Sequence, residues 1–394
     1  MKINVFVFAL SLVASACAPS PEAVPTATVA PSGTPASSFA VTSSPTASAQ
    51  PVAYRVVPSV PGRATASPDG RWIATQGQQD GAPLRIFTSD GTPMRELANA
   101  GRFWGWLPDS SGLFVALMIG QRAPPLTIVE LDGRLTNTEL QLSHQTLSRD
   151  GKLIVAEQQE GCCVSIIQRE IRVARRDGGG TRTLALSQVP SEPQTVALLG
   201  VDASDRAVYR DGTKIMRINL AGGAIATLAT APDYVRVIAG NSSPDGAAIT
   251  ARGYEPARWF LIANDRVTAW DDGLGAIVED GNPGLTKSGA APLWIGPHTL
   301  LARDTAGSLA AIDALTNARA PLSGKLFTGD VVLAHQRGIL LVVRGGVVTL
   351  LDTTTGAARD IRLDLRPDSE GAQALALPSG GFLLLSSKET YRID

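Results

Sequence analysis

From about Val52 to the C-terminus, short apolar runs alternate with clusters of Gly, Pro, Asp and Ser. No stretch sustains the period of 3.6 residues that an amphipathic helix requires. Leu84-Arg85-Ile86-Phe87-Thr88 and Lys214-Ile215-Met216-Arg217-Ile218 carry the residue types of strands. Phe382-Leu383-Leu384-Leu385 is apolar without a break, which suits a strand covered on both faces. The pattern predicts an all-β domain over residues 53–394.

Turn signals recur along that domain. Ser67-Pro68-Asp69-Gly70 and Ser243-Pro244-Asp245-Gly246 are full copies, with Pro108-Asp109-Ser110-Ser111-Gly112 and Ser148-Arg149-Asp150-Gly151 close to them. Asp202-Ala203-Ser204-Asp205, Gly296-Pro297-His298, Gln336-Arg337-Gly338 and Pro378-Ser379-Gly380-Gly381 are weaker. Asp69, Asp109 and Asp150 stand 40 and 41 residues apart, and Asp205 and Asp245 stand 40 apart. Two longer steps, around Cys162 and Asp280, are expected to hold loop insertions. Each residue type suits a tight turn, since Asp and Ser bond the backbone two residues on, Pro presets φ, and Gly accepts positive φ.

A second hairpin follows each turn. Leu84–Thr88 and Met94–Leu97 flank Ser89-Asp90-Gly91-Thr92, and Leu126–Glu130 and Leu135–Leu140 flank Leu131-Asp132-Gly133. Four strands per unit is the order of a propeller blade. Eight units give about 43 residues each, with seven larger blades as the alternative count. The last unit, Ala372 to Asp394, has room for three strands. The strand Val52 to Val57 is expected to supply its fourth and close the ring. The repeat resembles the WD40-like propeller repeats of the TolB type. That resemblance implies a β-propeller and a role played through protein contacts. Asp352-Thr353-Thr354-Thr355-Gly356 and its echo Asp313-Ala314-Leu315-Thr316-Asn317 resemble quinoprotein-type repeats, without the Trp that follows them there.

The N-terminus reads as an address. Lys2 precedes Ile3 to Val13, an almost unbroken apolar run too short to span a bilayer, as in a signal peptide over residues 1–16. Ala14-Ser15-Ala16-Cys17 resembles the lipobox of bacterial lipoproteins, which implies acylation of Cys17 and anchoring to the outer face of a membrane. Cleavage after Ala16 as an ordinary signal peptide is the alternative. Residues 18–52 are almost wholly Ala, Pro, Ser, Thr and Val. Such a segment is expected to stay disordered, a tether with a reach on the order of 100 Å.

Composition then narrows the chemistry. A formal net charge of −1 and the lack of a long basic run argue against nucleic acid. No Gly-x-Ser-x-Gly elbow, His-Glu-x-x-His, P-loop or Rossmann fingerprint is present, so no catalytic residue, metal or cofactor is assigned. The recurring Asp69, Asp109, Asp150 and Asp245 are assigned to turn structure. Cys162 and Cys163, adjacent in an oxidising compartment, are expected to form a vicinal disulfide, with two reduced thiols as the alternative. Trp104 and Trp106, at i and i+2, are expected to share a strand face, as core or as a ligand or partner platform. Arg172, Arg175 and Arg176 read as a solvated edge. The expected protein is a monomeric, envelope-anchored propeller lipoprotein that binds a protein partner. An extracytoplasmic enzyme or carbohydrate-binding module with a site at the channel mouth is the alternative.

Overall fold

A computed structural model describes residues 54–57, 63–77, 82–98, 101–116, 125–141, 144–162, 165–186, 196–253, 258–270, 278–279, 291–304, 306–327, 329–361, 363, 373–385 and 390–394. The signal, Cys17 and tether assignments fall outside these residues. The described chain is all-β, apart from one 3-10 turn at Pro232–Arg236. It forms eight antiparallel blades in a ring. Blade 1 is 63–66, 72–76, 84–88 and 93–97, and blade 4 is 196–201, 206–211, 214–219 and 226–230. In each such blade the first strand is innermost and the fourth outermost.

Eight blades rather than seven follow from two units that would otherwise be miscounted. Blade 6 has three full strands, 299–303, 308–313 and 319–325. Its inner strand shrinks to residues 293–295, held by Leu301 N–H to the Leu293 carbonyl at 2.9 Å and Ile295 N–H to the Thr299 carbonyl at 2.8 Å. Blade 8 takes three strands from 373–393 and its outer strand from the other end of the domain. Tyr54 pairs with Ile393 and Val57 with Thr390. The predicted closure is therefore present, and no long edge remains at the seam where the chain begins and ends.

Eight apolar clusters fill the molecule, one at each seam between neighbouring blades. Successive side chains of a strand point to opposite faces, so each strand feeds two seams. Leu340 and Val342 pack toward blade 6, while Leu341 packs toward blade 8. Leu383 faces blade 1 and Leu384 faces blade 7. This explains the unbroken apolar runs. Outer strands, such as 93–97 and 358–361, are mostly exposed.

The repeated turns share one hydrogen-bond pattern. The Ser67, Ser148 and Ser243 hydroxyls donate to Asp69, Asp150 and Asp245 at 2.6, 2.7 and 2.7 Å. Each hydroxyl also accepts from the amide five residues on, in Trp72, Leu153 and Ala248. Gly70, Gly151 and Gly246 have φ of 68°, 70° and 71°. In blade 2 this position is Ser110, at φ 61°, whose amide donates to the Leu107 carbonyl. Gly112 is thus not the turn glycine. It opens the strand 112–116, where a Cβ would meet the Val129 carbonyl oxygen at 2.5 Å.

Among the described residues, the step around Cys162 lengthens strands. The second and third strands of blade 3 lengthen to Leu153–Cys162 and Ser165–Arg175, paired to Cys162↔Ser165 with a bulge at Glu160/Gly161. Within the step around Asp280, Val278–Glu279 pairs with Ala291–Pro292.

Ser148 is 4 % exposed and satisfies two partners, so its loss leaves the Leu153 amide unsatisfied. We expect Ser148→Ala to destabilise the domain by about 1–3 kcal/mol, measured as a shift in urea midpoint at constant slope.

Candidate functional site

In each blade whose four strands are consecutive, the first and third turns lie on the same face, because strands alternate direction. On this face side chains reach across the seams. Arg95 Nη1 donates to the Asp132 carbonyl at 2.5 Å, joining blades 1 and 2. Arg176 of blade 3 meets Asp109 at 2.6 Å and Glu130 at 2.6 Å in blade 2. Arg182 donates to the Leu220 carbonyl, joining blades 3 and 4. Asn264 Nδ2 donates to the Leu315 carbonyl at 3.0 Å, joining blades 5 and 6.

The Ser243–Gly246 turn of blade 5 is a junction of four blades. Arg149 of blade 3 donates to the Asp245 carbonyl, and Ala203 N–H of blade 4 donates to the Gly246 carbonyl at 2.8 Å. From blade 6, His298 Nδ1 meets Asp245 Oδ2 at 2.8 Å, while its Nε2 lies 3.4 Å from Asp313 Oδ2. Donation of a hydrogen bond to Asp245 raises the His298 pKa, desolvation opposes it, and both carboxylates add charge attraction.

Beside this junction a cleft of about 380 Å³ opens between blades 4 and 5. Val208 and Leu228 line it from blade 4, and Ile249 and Ile262 from blade 5. The inner ends of the two blades are drawn together by glycine. A Cβ on Gly240 would lie 2.1 Å from the Leu199 carbonyl oxygen. Two guanidiniums enter the cleft from blade 4. Ile215 packs into the seam with blade 5 and Met216 into the seam with blade 3, so Arg217 points toward blade 5. By the same alternation Arg206 shares the face of Val208. Arg206 Nε donates to Asp202 at 2.8 Å, and its Nη2 lies 4.0 Å from Asp265 Oδ1. Arg217 Nη1 donates to that same Asp265 oxygen. Asp265 sits on the tight turn after Ala263, where Asn264 and Asp265 have φ of 50° and 59°. Its side chain is 60 % exposed, against 15 % for Arg217. The Arg217 hydrogen bond holds the Asp265 carboxyl below its usual range.

The residues singled out from sequence fare differently. Trp104 and Trp106 do not share a face. A bulge between Phe103 and Gly105 breaks the alternation, leaving Trp104 at 46 % exposure on the inner strand. Trp106 packs with Phe103 in the seam of blades 1 and 2 and donates its Nε1 to the Thr65 carbonyl at 3.2 Å. The arginine cluster is a solvated edge at Arg175, 64 % exposed, but not at Arg176, 17 % exposed. Arg172 pairs with Glu170, Arg175 with Asp177, and Arg176 clasps blade 2. Cys162 ends its strand, but its side chain and Cys163 lie outside the described residues, and so does their disulfide. Sequence reading missed Arg206, Arg217 and Asp265. The available signal was Arg217 itself, a charge at a seam-facing position of a strand already identified.

Two outcomes test these contacts. Glu130 is 7 % exposed, and Arg176→Ala leaves this buried carboxylate with the longer, solvent-exposed Arg134 pair at 3.6 Å. We expect a loss of about 3 kcal/mol in urea unfolding, with partial recovery in Arg176→Met/Glu130→Leu. His298 has a raised folded pKa, so its contribution is full below about pH 6.5 and falls as pH rises through the folded value. His335 shifts the other way because burial disfavours its charged form. The test is therefore the stability difference between the parent and His298→Gln, which should shrink as pH rises above about 6.5.

No family model matches the chain, and no curated protein matches it. Solved structures do. The computationally designed Ika8 protein aligns at 12% identity and TM-score 0.55, over 86% of this chain and 98% of that one. The C-terminal WD40 domain of Sif2 aligns at 10% identity and TM-score 0.53, over 86% and 97%. A TolB from Agrobacterium tumefaciens aligns at 13% identity over 77% and 93%, with a TM-score of 0.35 too low to argue from. Likeness at these identities shows the fold alone: this chain is an eight-bladed β-propeller.

Proposed function

We propose that this chain is an extracytoplasmic lipoprotein, anchored through acylated Cys17, whose propeller serves as a binding scaffold for a protein of the cell envelope. One observation carries the reading. The domain begins at Tyr54, in an outermost strand paired with the C-terminal strand, so the preceding chain joins the ring at its circumference. A connection made to an outer strand is not made to the channel-lining inner strands, which supports a binding role for the ring. The lipobox-like Ala14-Ser15-Ala16-Cys17 and the Pro/Ser/Thr/Ala-rich residues 18–52 support the anchor and the spacer. Two acyl chains give stable attachment where one does not. The inter-blade bonds support a scaffold, since a rigid ring presents a partner with a preorganised surface.

The test combines fractionation with surface crosslinking in the source cell. The parent should sit in the membrane fraction, carry the mass of its acyl chains and crosslink to one stoichiometric protein neighbour. Cys17→Ser should release the protein. Retention of that variant in the membrane refutes the anchor, and crosslinking that captures no protein refutes the scaffold.

A further inference from the structure

We propose that the wall of the central channel at blade 2 is where the scaffold's protein partner docks, and that the docking element is an extended acidic segment that sets an apolar side chain on Trp104 and a carboxylate on Arg102. The inference rests on the scaffold reading and adds to it the surface used and the chemistry of the partner.

The innermost strand of blade 2, Arg102–Trp106, is built unlike its counterparts. The inner strands of blades 2, 4 and 7 each bulge at one residue, Trp104, Leu199 and Leu333. Leu199 and Leu333 are buried there, at 1 % and 5 % exposure, whereas Trp104 keeps 46 % of its surface in water. The glycine after the bulge differs in the same sense. A Cβ on Gly200 of blade 4 would lie 2.6 Å from Ser242 Oγ, so that glycine admits the next blade. A Cβ on Gly105 would meet nothing within 4 Å, and Gly105 has no positive φ. Neither packing nor backbone conformation calls for glycine at 105, and the space beside Trp104 is open. Glycine inside a strand often marks a place where a ligand or another backbone comes close.

Charge selects the occupant. Among the described residues, the eight inner strands hold no Asp or Glu, and their basic residues are Arg63, Arg102 and His335. Burial disfavours the charged form of His335. Arg63 and Arg102 each open their strand, on neighbouring blades, at the channel mouth away from the turn face. The Arg102 guanidinium is exposed and, among the described residues, makes no ion pair or hydrogen bond. Phe103 and Trp106 pack into the seam of blades 1 and 2, and Arg102 and Trp104 are the two side chains of this strand left to water. A positive wall with an exposed indole complements a segment that is both acidic and apolar. Trp and Arg are also the side chains that most often dominate a protein interface. An extended segment presents the side chains of one face two residues apart, which is the spacing of Arg102 and Trp104.

Two measurements test the inference. Crosslinking on the source cell is repeated with Trp104→Ala, Arg102→Glu and Leu135→Ala, the last an exposed side chain on the outermost strand of the same blade. Capture of the neighbour should fall about tenfold or more in the first two and hold in the third. All three side chains face water, so the variants should keep the parent's circular dichroism. Isothermal titration calorimetry on the purified full chain in non-ionic detergent then uses acetyl-Glu-Ala-Phe-Ala-Glu-amide, its counterpart with Gln for Glu, and alginate. The acidic peptide should bind about threefold or more tightly than its counterpart, lose that advantage with Arg102→Glu, and lose binding with Trp104→Ala. A neighbour captured equally by the parent and both channel variants overturns this inference and leaves the scaffold reading standing. Peptide binding as expected with no captured neighbour upholds the acidic-segment site and overturns the scaffold reading. Equal binding of the two peptides, or binding of neither, overturns the inference. Alginate bound more tightly than the acidic peptide also overturns it, and assigns the wall to an anionic glycan.

Discussion

Each blade is a sheet of four short strands with apolar side chains on both faces, and neither face can be left in water. Burial of both faces at once, one against each neighbour, is the constraint from which the architecture follows. A stack of such sheets has two raw ends until it bends into a ring. The pairing of Tyr54–Val57 with Thr390–Ile393 joins those ends, so the first and last seams fill like the others. The eight apolar clusters are the direct trace of this requirement, each built from two blades.

Polar groups on the turn face work within that constraint. A side chain near the rim of a seam either packs or reaches the next blade, and Arg95, Arg176, Arg182 and Asn264 all do the latter. The Ser243–Gly246 turn concentrates these bonds, tying blades 3, 4 and 6 to blade 5. A cleft beside such a junction has one firmly held wall. In the Arg217–Asp265 pair opposite, Arg217 is 15 % exposed and Asp265 60 %.

Much of the fold was legible because its signals are local. The Ser-x-Asp-Gly turn is a closed hydrogen-bond system within six residues, so its sequence mark survives in three blades with the same bonds. The degenerate copies kept the backbone and changed the side chains. Asp202 replaces the serine and accepts from Ser204 and Arg206, and Asp205 takes the positive φ of the glycine. Asp313 and Asp352 each accept from the amides two and three residues on, and Asn317 stands where Gly356 does. The turn at Pro108 was misaligned because Gly112 is more conspicuous than Ser110. Gly112 serves a close approach to Val129 from within a strand.

By itself the sequence determined the strand period, the turn positions, the repeat length and the closing role of the strand near Val52, all properties of a few neighbouring residues. Only the tertiary structure decided which side chains meet across a seam. One bulge separated Trp104 from Trp106, and no spacing rule announces a bulge. Arg176 and Glu130 are 46 residues apart, and Arg217 and Asp265 are 48 apart. Their meeting depends on the rotation and register of one blade against the next. Those are set by how two whole apolar faces interlock, a collective property that no single segment encodes.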